Sequence, residues 1–374
     1  MDSKERALTA IQRREPDRVP LEGVAWGEWS YPFLLRLLNH FGITDETHGL
    51  IERQDRLAEK LSIDFRPVRM EPSAEFKKKA VNNPLFHYSW GIPVNSETLE
   101  DEWGVRRVLN STRLQSRIVH HPLRGRESLE GYSFPDPETP GRFDTAERLL
   151  PRWRDRYAVS ASPGGDVFFS QAWYLRGFTE LIRDMYVDPG FVEALFDGLL
   201  HVYLKACNRF ADLGVDIVCL ADDVAMQTGM IVSADLWRRY IKPRMKTLID
   251  AVKRKGVYIL FHTDGNCEAI IPDLIEVGVD ILNPVQPECM DPTRIKRLYG
   301  DELTLSGTIS LQRTLPYGTI QDVRKEVATR IKTCGHNGGL IIAPSNQTLL
   351  DTRIENFIAV YEAAKEYGRY PLTM

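Results

Sequence analysis

The chain has 374 residues, 43% hydrophobic and 27% charged, which suits an ordinary globular protein with a large core. Its net charge of −4 leaves no electrostatic footprint for nucleic acid or anionic lipid, so neither is expected as a partner. No apolar stretch reaches the roughly 20 residues of a membrane span, and the polar start Met1-Asp2-Ser3-Lys4-Glu5 does not read as a signal peptide, so a cytoplasmic location is expected.

Ala7, Leu8 and Ile11 recur at helical spacing and predict a helix over 3–13. Arg14-Glu15-Pro16-Asp17-Arg18-Val19-Pro20 breaks it and leads into a short strand, Val19–Gly23, followed at once by Glu22, Trp26, Glu28 and Trp29. Helices are expected over 32–40 and 47–61, then a second strand, Ile63–Val68, ending around Arg66. Residues 72–140 interrupt this rhythm. Two aromatic-rich segments, 86–91 and 102–108, read as antiparallel strands, and a Pro-rich loop, 134–140, follows. The region is too short for a confident core of its own and reads as an excursion over the rim of a larger unit. Helix 142–154, strand Tyr157–Ser162, and helices near 174–186 and 190–213 come next. Later helices are expected at 234–254, 292–299 and 352–366, with Ser233, Asp291 and Asp351 as N-caps.

Five apolar runs in the C-terminal half each break off into polar side chains. Val215–Leu220 runs into Asp222 and Asp223, Val257–Phe261 into His262 and Asp264, and Val279–Leu282 into Asn283 and Gln286. Leu303–Leu305 runs into Ser306, and Leu340–Ile342 into Ser345 and Asn346. Strand, polar tip and helix in repetition is the pattern of a parallel (β/α)8 barrel, a fold of about 250 residues whose active sites lie at the carboxyl ends of the strands. The expectation is one α/β barrel domain over 1–374, with the insertion at about 72–140.

The strand ends carry the candidate chemistry. One of Asp222 and Asp223 can face the barrel mouth as a base, a cation ligand or a substrate anchor; equally, one can cap a loop while the other is solvated. His262-Thr263-Asp264-Gly265 suits proton transfer or Zn²⁺ binding through an imidazole and a carboxylate, provided a third ligand comes from elsewhere. The same residues also suit a histidine bonded to a loop carbonyl, followed by an Asx turn. Asn283, Gln286, Ser345 and Asn346 supply groups that orient a substrate, and Trp26, Trp29, Trp90 and Trp103 either wall a pocket or form core. The five cysteines include no CxxC pair, which argues against a disulfide framework and a Cys-rich zinc site. GxGxxG, GxxxxGK[ST], GxSxG and HExxH are all missing, which removes most support for nucleotide cofactors and serine hydrolysis.

Taken together, several segments carry a family resemblance. They are Arg14–Pro20, Asp101-Glu102-Trp103-Gly104-Val105, Asp222-Asp223 with Gln227, His262-Thr263-Asp264-Gly265, Ile271–Glu276, Asp280–Gln286 and Ala343-Pro344-Ser345. With these the chain resembles the uroporphyrinogen decarboxylase superfamily, which also contains cobamide-dependent methyltransferases. The resemblance implies a TIM barrel of that type. It also shows departures. The arginine-rich RQAGRY stretch of the decarboxylases is here Glu22–Glu28, without arginine; their aspartate after the second strand falls near Pro67, and their late histidine at or next to Ser345. A carboxylate-lined mouth would repel a polycarboxylate porphyrinogen. The methyltransferases' zinc-binding His-x-Cys becomes His262 and Asp264, their distant cysteine falls around Ser345, and Cys267 is out of register.

The resemblance therefore implies a corrinoid-linked methyltransferase of demethylase type acting on a small, methoxylated molecule. Zn²⁺ would be held by His262 and Asp264, with Asp222 or Asp223 helping to polarise the leaving oxygen. Glu22, Trp26, Arg66, Trp90, Gln227, Asn283, Gln286, Ser345 and Asn346 would line the substrate site. The corrinoid would ride on a separate partner protein, and there is room for a homodimer. The alternative is a cofactor-free decarboxylase with Asp222 or Asp223 as proton donor and Arg66 or Arg106 gripping a carboxylate. A non-catalytic binding protein is the third reading, disfavoured by polar residues at five strand ends.

Overall fold

The computed structural model describes residues 1–23, 30–83, 90–110, 115–125 and 127–372. Its centre is a six-stranded parallel sheet ordered Phe65–Arg69, Ala158–Ser162, Ile217–Ala221, Tyr258–His262, Ile281–Asn283 and Thr304–Leu305. Spatial order follows chain order, with helices between most neighbours, as in a (β/α)8 barrel. Single parallel bridges, Leu305↔Leu340 and Leu21↔Ile342, continue the pairing, and the Asp64 amide donates to the Leu21 carbonyl at 2.9 Å. The expected strands Val19–Gly23 and Leu340–Ile342 thus appear as bridge positions, not ladders. Pro20 has no N–H to offer a ladder.

Strand periodicity sorts the side chains into two sets. Phe65, Ala158, Ile217, Cys219, Leu260, Ile281 and Ile341 form the interior cluster, together with Ala7 and Ile11 from helix Ser3–Ile11. The alternate residues Val68, Val159, Val218, Leu220, Ile259, Phe261, Leu282 and Leu305 pack outward among the helices. Helix Ser3–Ile11 starts at Asp2, whose side chain accepts the Glu5 amide at 2.8 Å, and fills the barrel interior with its apolar face. Arg6 and Arg18 both bond the buried Asp64 carboxylate, at 2.8 and 2.9 Å, fastening the N-terminal segment to the strand that follows.

Several helices depart from expectation for readable reasons. The span 234–254 is two helices, Ala234–Tyr240 and Lys242–Lys253, with Pro243 in the first turn of the second. Helix Phe178–Val187 follows a separate helix, Phe168–Arg176, with Gly177 at φ +98° between them. Ser233, Asp188 and Asp291 act as N-caps, whereas the last helix begins at Ile354 with Arg353 at its cap position and Asp351 in the preceding turn.

The insertion leaves the carboxyl end of strand Phe65–Arg69. It contains a five-stranded antiparallel sheet of Val81–Asn82, Trp90–Pro93, Thr98–Glu100, Arg106–Asn110 and Gln115–His120. The expected strand 102–108 is shorter because Glu102–Gly104 turn around Asp101, whose carboxylate accepts the Trp103 and Val105 amides at 3.0 Å each. Residues 84–89, including most of the other expected strand, lie outside the described residues. Arg142 clamps the insertion through two bonds to Glu102, at 2.6 and 2.9 Å. Among the described residues, no helix is long and apolar enough to cross a membrane.

Candidate functional site

The two-residue alternation decides which strand-end groups meet. Leu260 points inward, so His262, two residues on, does too; likewise Ile281 predicts Asn283, and Ile217 and Cys219 lead to Asp223. Asp222 falls on the other parity and turns outward.

Asp223, His262 and Asp264 converge, with one ligand atom from each lying within 4.8 Å of the others. His262 Nε2 is 3.7 Å from Asp264 Oδ1, a buried oxygen without a hydrogen-bond partner. Asp223 accepts the Asp264 amide at 2.9 Å, which ties the two acidic loops together. Asn346 donates its side-chain amide to Asp264 Oδ2. Gln286 accepts the Gly265 amide at 3.4 Å, and Thr263 Oγ1 accepts the Val224 amide at 3.1 Å. Each turn of this rim is therefore braced by a neighbour.

Behind His262 runs a buried polar chain. Asn283 Oδ1 accepts from His262 Nδ1 at 2.7 Å, Asn283 Nδ2 donates to Ser306 Oγ at 3.0 Å, and Ser306 donates to Glu22 Oε2 at 3.0 Å. With Glu22 ionised, the chain's polarity places a proton on His262 Nδ1 and leaves Nε2 facing Asp264. Burial raises Glu22 to about 7 against the Ser306 bond and the His262 charge, which pull it down. Burial likewise raises Asp223 to about 6; His262 lowers it, while Asp264 and Asp166 push it further up. Burial opposes a charged His262 ring, but the carboxylates of Asp264 and Asp223 and the Asn283 bond outweigh it, and the net shift is upward.

Asp222 is placed elsewhere. Its fully buried carboxylate accepts the amides of Ser170 at 2.8 Å and Phe169 at 3.1 Å, at the start of helix Phe168–Arg176. That geometry fits a tertiary helix cap and not a group facing substrate.

The family profile described as Uroporphyrinogen decarboxylase (URO-D) matches residues 114–367. The chain belongs to the uroporphyrinogen decarboxylase family. Within it, a methylcobamide:CoM methyltransferase, MtaA, of Methanosarcina barkeri is 28% identical over 178 residues; this match spans 46% of the chain and only 49% of that relative. A uroporphyrinogen decarboxylase of Thermus thermophilus is 24% identical over 273 residues, covering 71% of this chain and 76% of its own length. A solved methyltransferase from Methanosarcina mazei superposes with a TM-score of 0.71 at 18% identity, over 98% of this chain and 99% of that one, and so shares the fold.

On this uroporphyrinogen decarboxylase-type scaffold the remaining expected residues scatter. Glu22, Asn283, Gln286, Ser345 and Asn346 lie at the strand ends on the His262 side. Gln227 is exposed and donates to Gln312 at 3.2 Å. Arg66 does not reach the mouth. It has outward parity, bonds Asp55 at 2.5 Å and stacks on Tyr157. Arg106 pairs with Glu100 within the inserted sheet. Trp103 is core, 6.0 Å from the Tyr203 ring, and Trp90 belongs to the inserted sheet. Trp26 and Trp29 lie outside the described residues. Asp166 was not expected; it bridges Ala221, accepts from Tyr174 Oη at 2.6 Å, and acts electrostatically on His262 and Asp223. Its signal was weak because it follows the turn Pro163-Gly164-Gly165 and not an apolar run.

Proposed function

We propose that this chain is a corrinoid-linked methyltransferase of demethylase type, taking a methyl group from the oxygen of a small molecule and passing it to a corrinoid protein. The observation that carries this reading is the meeting of Asp223, His262 and Asp264 at one rim. An imidazole and two carboxylates, one of them with a buried oxygen lacking a partner, suit Zn²⁺, and Asn283 supplies the second ring-nitrogen bond that metal-ligating histidines ordinarily have. Asp223, His262 and Asp264 would hold the ion. Bound there, zinc supplies a Lewis acid that polarises the oxygen bearing the methyl group. The chain's own residues do the rest. Asn283 holds the Nδ1 proton of His262, Asn346 and the Asp223–Asp264 bond fix the carboxylates, and Gln286 holds the loop at Gly265. The names of the methylcobamide:CoM methyltransferase relatives support methyl transfer to or from a corrinoid. Asp264 in place of a thiolate favours an oxygen-bound donor over a thiol.

Incubating the zinc-loaded protein with methoxylated donors and a reduced corrinoid protein should produce the absorbance of the methylated corrinoid. No methylation with any donor, together with no bound zinc, would sink the proposal.

A second reading has one observation in its favour. Asp223, raised to about 6 by burial, can hold and return a proton near neutrality, which suits a decarboxylase. Release of CO₂ that survives exhaustive chelation would favour that reading.

A further inference from the structure

We propose that Arg69 is the anchor for a carboxylate on the substrate, so that the site takes a small organic anion whose far end reaches the His262 rim. Arg69 is the last residue of strand Phe65–Arg69 and pairs with Ser162 of the adjacent strand. Phe65 belongs to the interior cluster, while Arg66 and Val68 pack outward, so Arg69 shares the inward parity of Phe65. It therefore stands at the carboxyl end of its strand, on the inner wall that also carries His262, Asn283 and Asp223. On this fold that wall surrounds the substrate.

Several arginines in the body of the molecule have carboxylate partners. Arg6 and Arg18 share Asp64, Arg66 takes Asp55, Arg142 takes Glu102, and Arg176 takes Asp184. Among the described residues Arg69 has no hydrogen-bond or ion-pair partner. The carboxylate that acts on its charge, Glu71, is already bonded to Lys77 at 3.1 Å and Thr145 at 3.0 Å. The Arg69 side chain is exposed to solvent. Desolvation by its surroundings lowers its pKa, with Glu71 opposing, and a side chain both solvent-touched and desolvated sits in a concavity. An unpaired guanidinium facing solvent in such a place is free to take an anion, and its planar fork matches a carboxylate in two-point contact.

Farther round the same wall stand the acidic groups of Asp223 and Asp264 beside His262, while Glu22, from the segment next to strand Phe65–Arg69, is taken up by Ser306. A molecule with one anionic end is held by this polarity in a single direction: carboxylate on Arg69, neutral reacting end at the rim. The inference rests on reading the His262 rim as the active site, but not on methyl transfer.

The test is mapped modification of Arg69 by phenylglyoxal in the full chain, alone and with acetate, methoxyacetate or para-methoxybenzoate, with para-methoxybenzamide as the neutral control. The proposal expects at least one carboxylate to slow modification at Arg69 and the amide to leave it unchanged. Calorimetry with the protecting carboxylate should then show Arg69→Met weakening binding about tenfold or more, with Arg69→Lys closer to wild type. Protection by none of the carboxylates, equal protection by the amide, or unchanged binding in Arg69→Met would overturn it. A carboxylate that protects Arg69 but methylates no corrinoid leaves the anchor standing and defeats the methyl-transfer reading.

Discussion

Asp222 gives both carboxylate oxygens to the Phe169 and Ser170 amides, whereas Asp223, the next residue, accepts the Asp264 amide and turns toward His262. Two consequences separate them. Asp222→Ala strands two buried donors at a helix start, and each such donor costs about 1–3 kcal/mol, so unfolding by urea should come at clearly lower concentration. Asp223→Asn keeps an acceptor for the Asp264 amide, so its effect should appear in zinc affinity. Burial raises Asp223 from the usual 3.8 to about 6, which means the fold favours the protonated carboxyl. The stability this contributes is complete below the ordinary carboxylate range and is lost as pH rises through about 6. Under chelation, wild type should therefore lose stability relative to Asp223→Asn across that window. A difference that stays constant with pH, or an Asp222→Ala protein as stable as wild type, would contradict these roles. The adjacent pair was legible as chemistry but not as a division of labour. Residue spacing from Cys219 gives the parity, but the amides that claim Asp222 come from a helix about 50 residues earlier, and nothing local announces them.

At the scale of elements, the site is a set of loops held against one another. The turn after His262 passes so close to the preceding loop that a Cβ on Gly265, at φ +86°, would run into the backbone of Met226 and Ala225. The Asn266 amide bonds the Met226 carbonyl there at 2.8 Å. Gly265→Ala should cost at least about 1–2 kcal/mol from the left-handed backbone alone and shift Asp264 away from its partners. Zinc affinity should fall with stability; an alanine variant with both unchanged would show that the close approach does not matter. The runs ending at His262 and Asn283 were legible because each apolar strand stops at its polar residue. Arg66 misled for the converse reason: it is a cation near a strand end, but one position off the inward parity that Arg69 occupies. The long helix expected over 234–254 failed at Pro243, where the missing N–H and fixed ring start a new helix.

For the whole molecule, alternation of apolar runs and helices was enough to give the parallel barrel, because those strands are short and buried on both faces. The insertion was harder. Its antiparallel strands are held by ion pairs such as Arg142–Glu102 and by turn carboxylates such as Asp101, partners far apart in sequence. The barrel brings Asp223, His262 and Asp264, from two strand ends, to one place, and the functional account stands on that meeting. The most direct test is a zinc titration of the metal-free protein with a competing chromophoric chelator, in wild type and in His262→Ala. The account predicts one tight site per chain in wild type and its loss in His262→Ala, with the variant's melting temperature within a few degrees of wild type. A wild-type chain that binds no zinc, or a His262→Ala chain that binds it equally well, would contradict it.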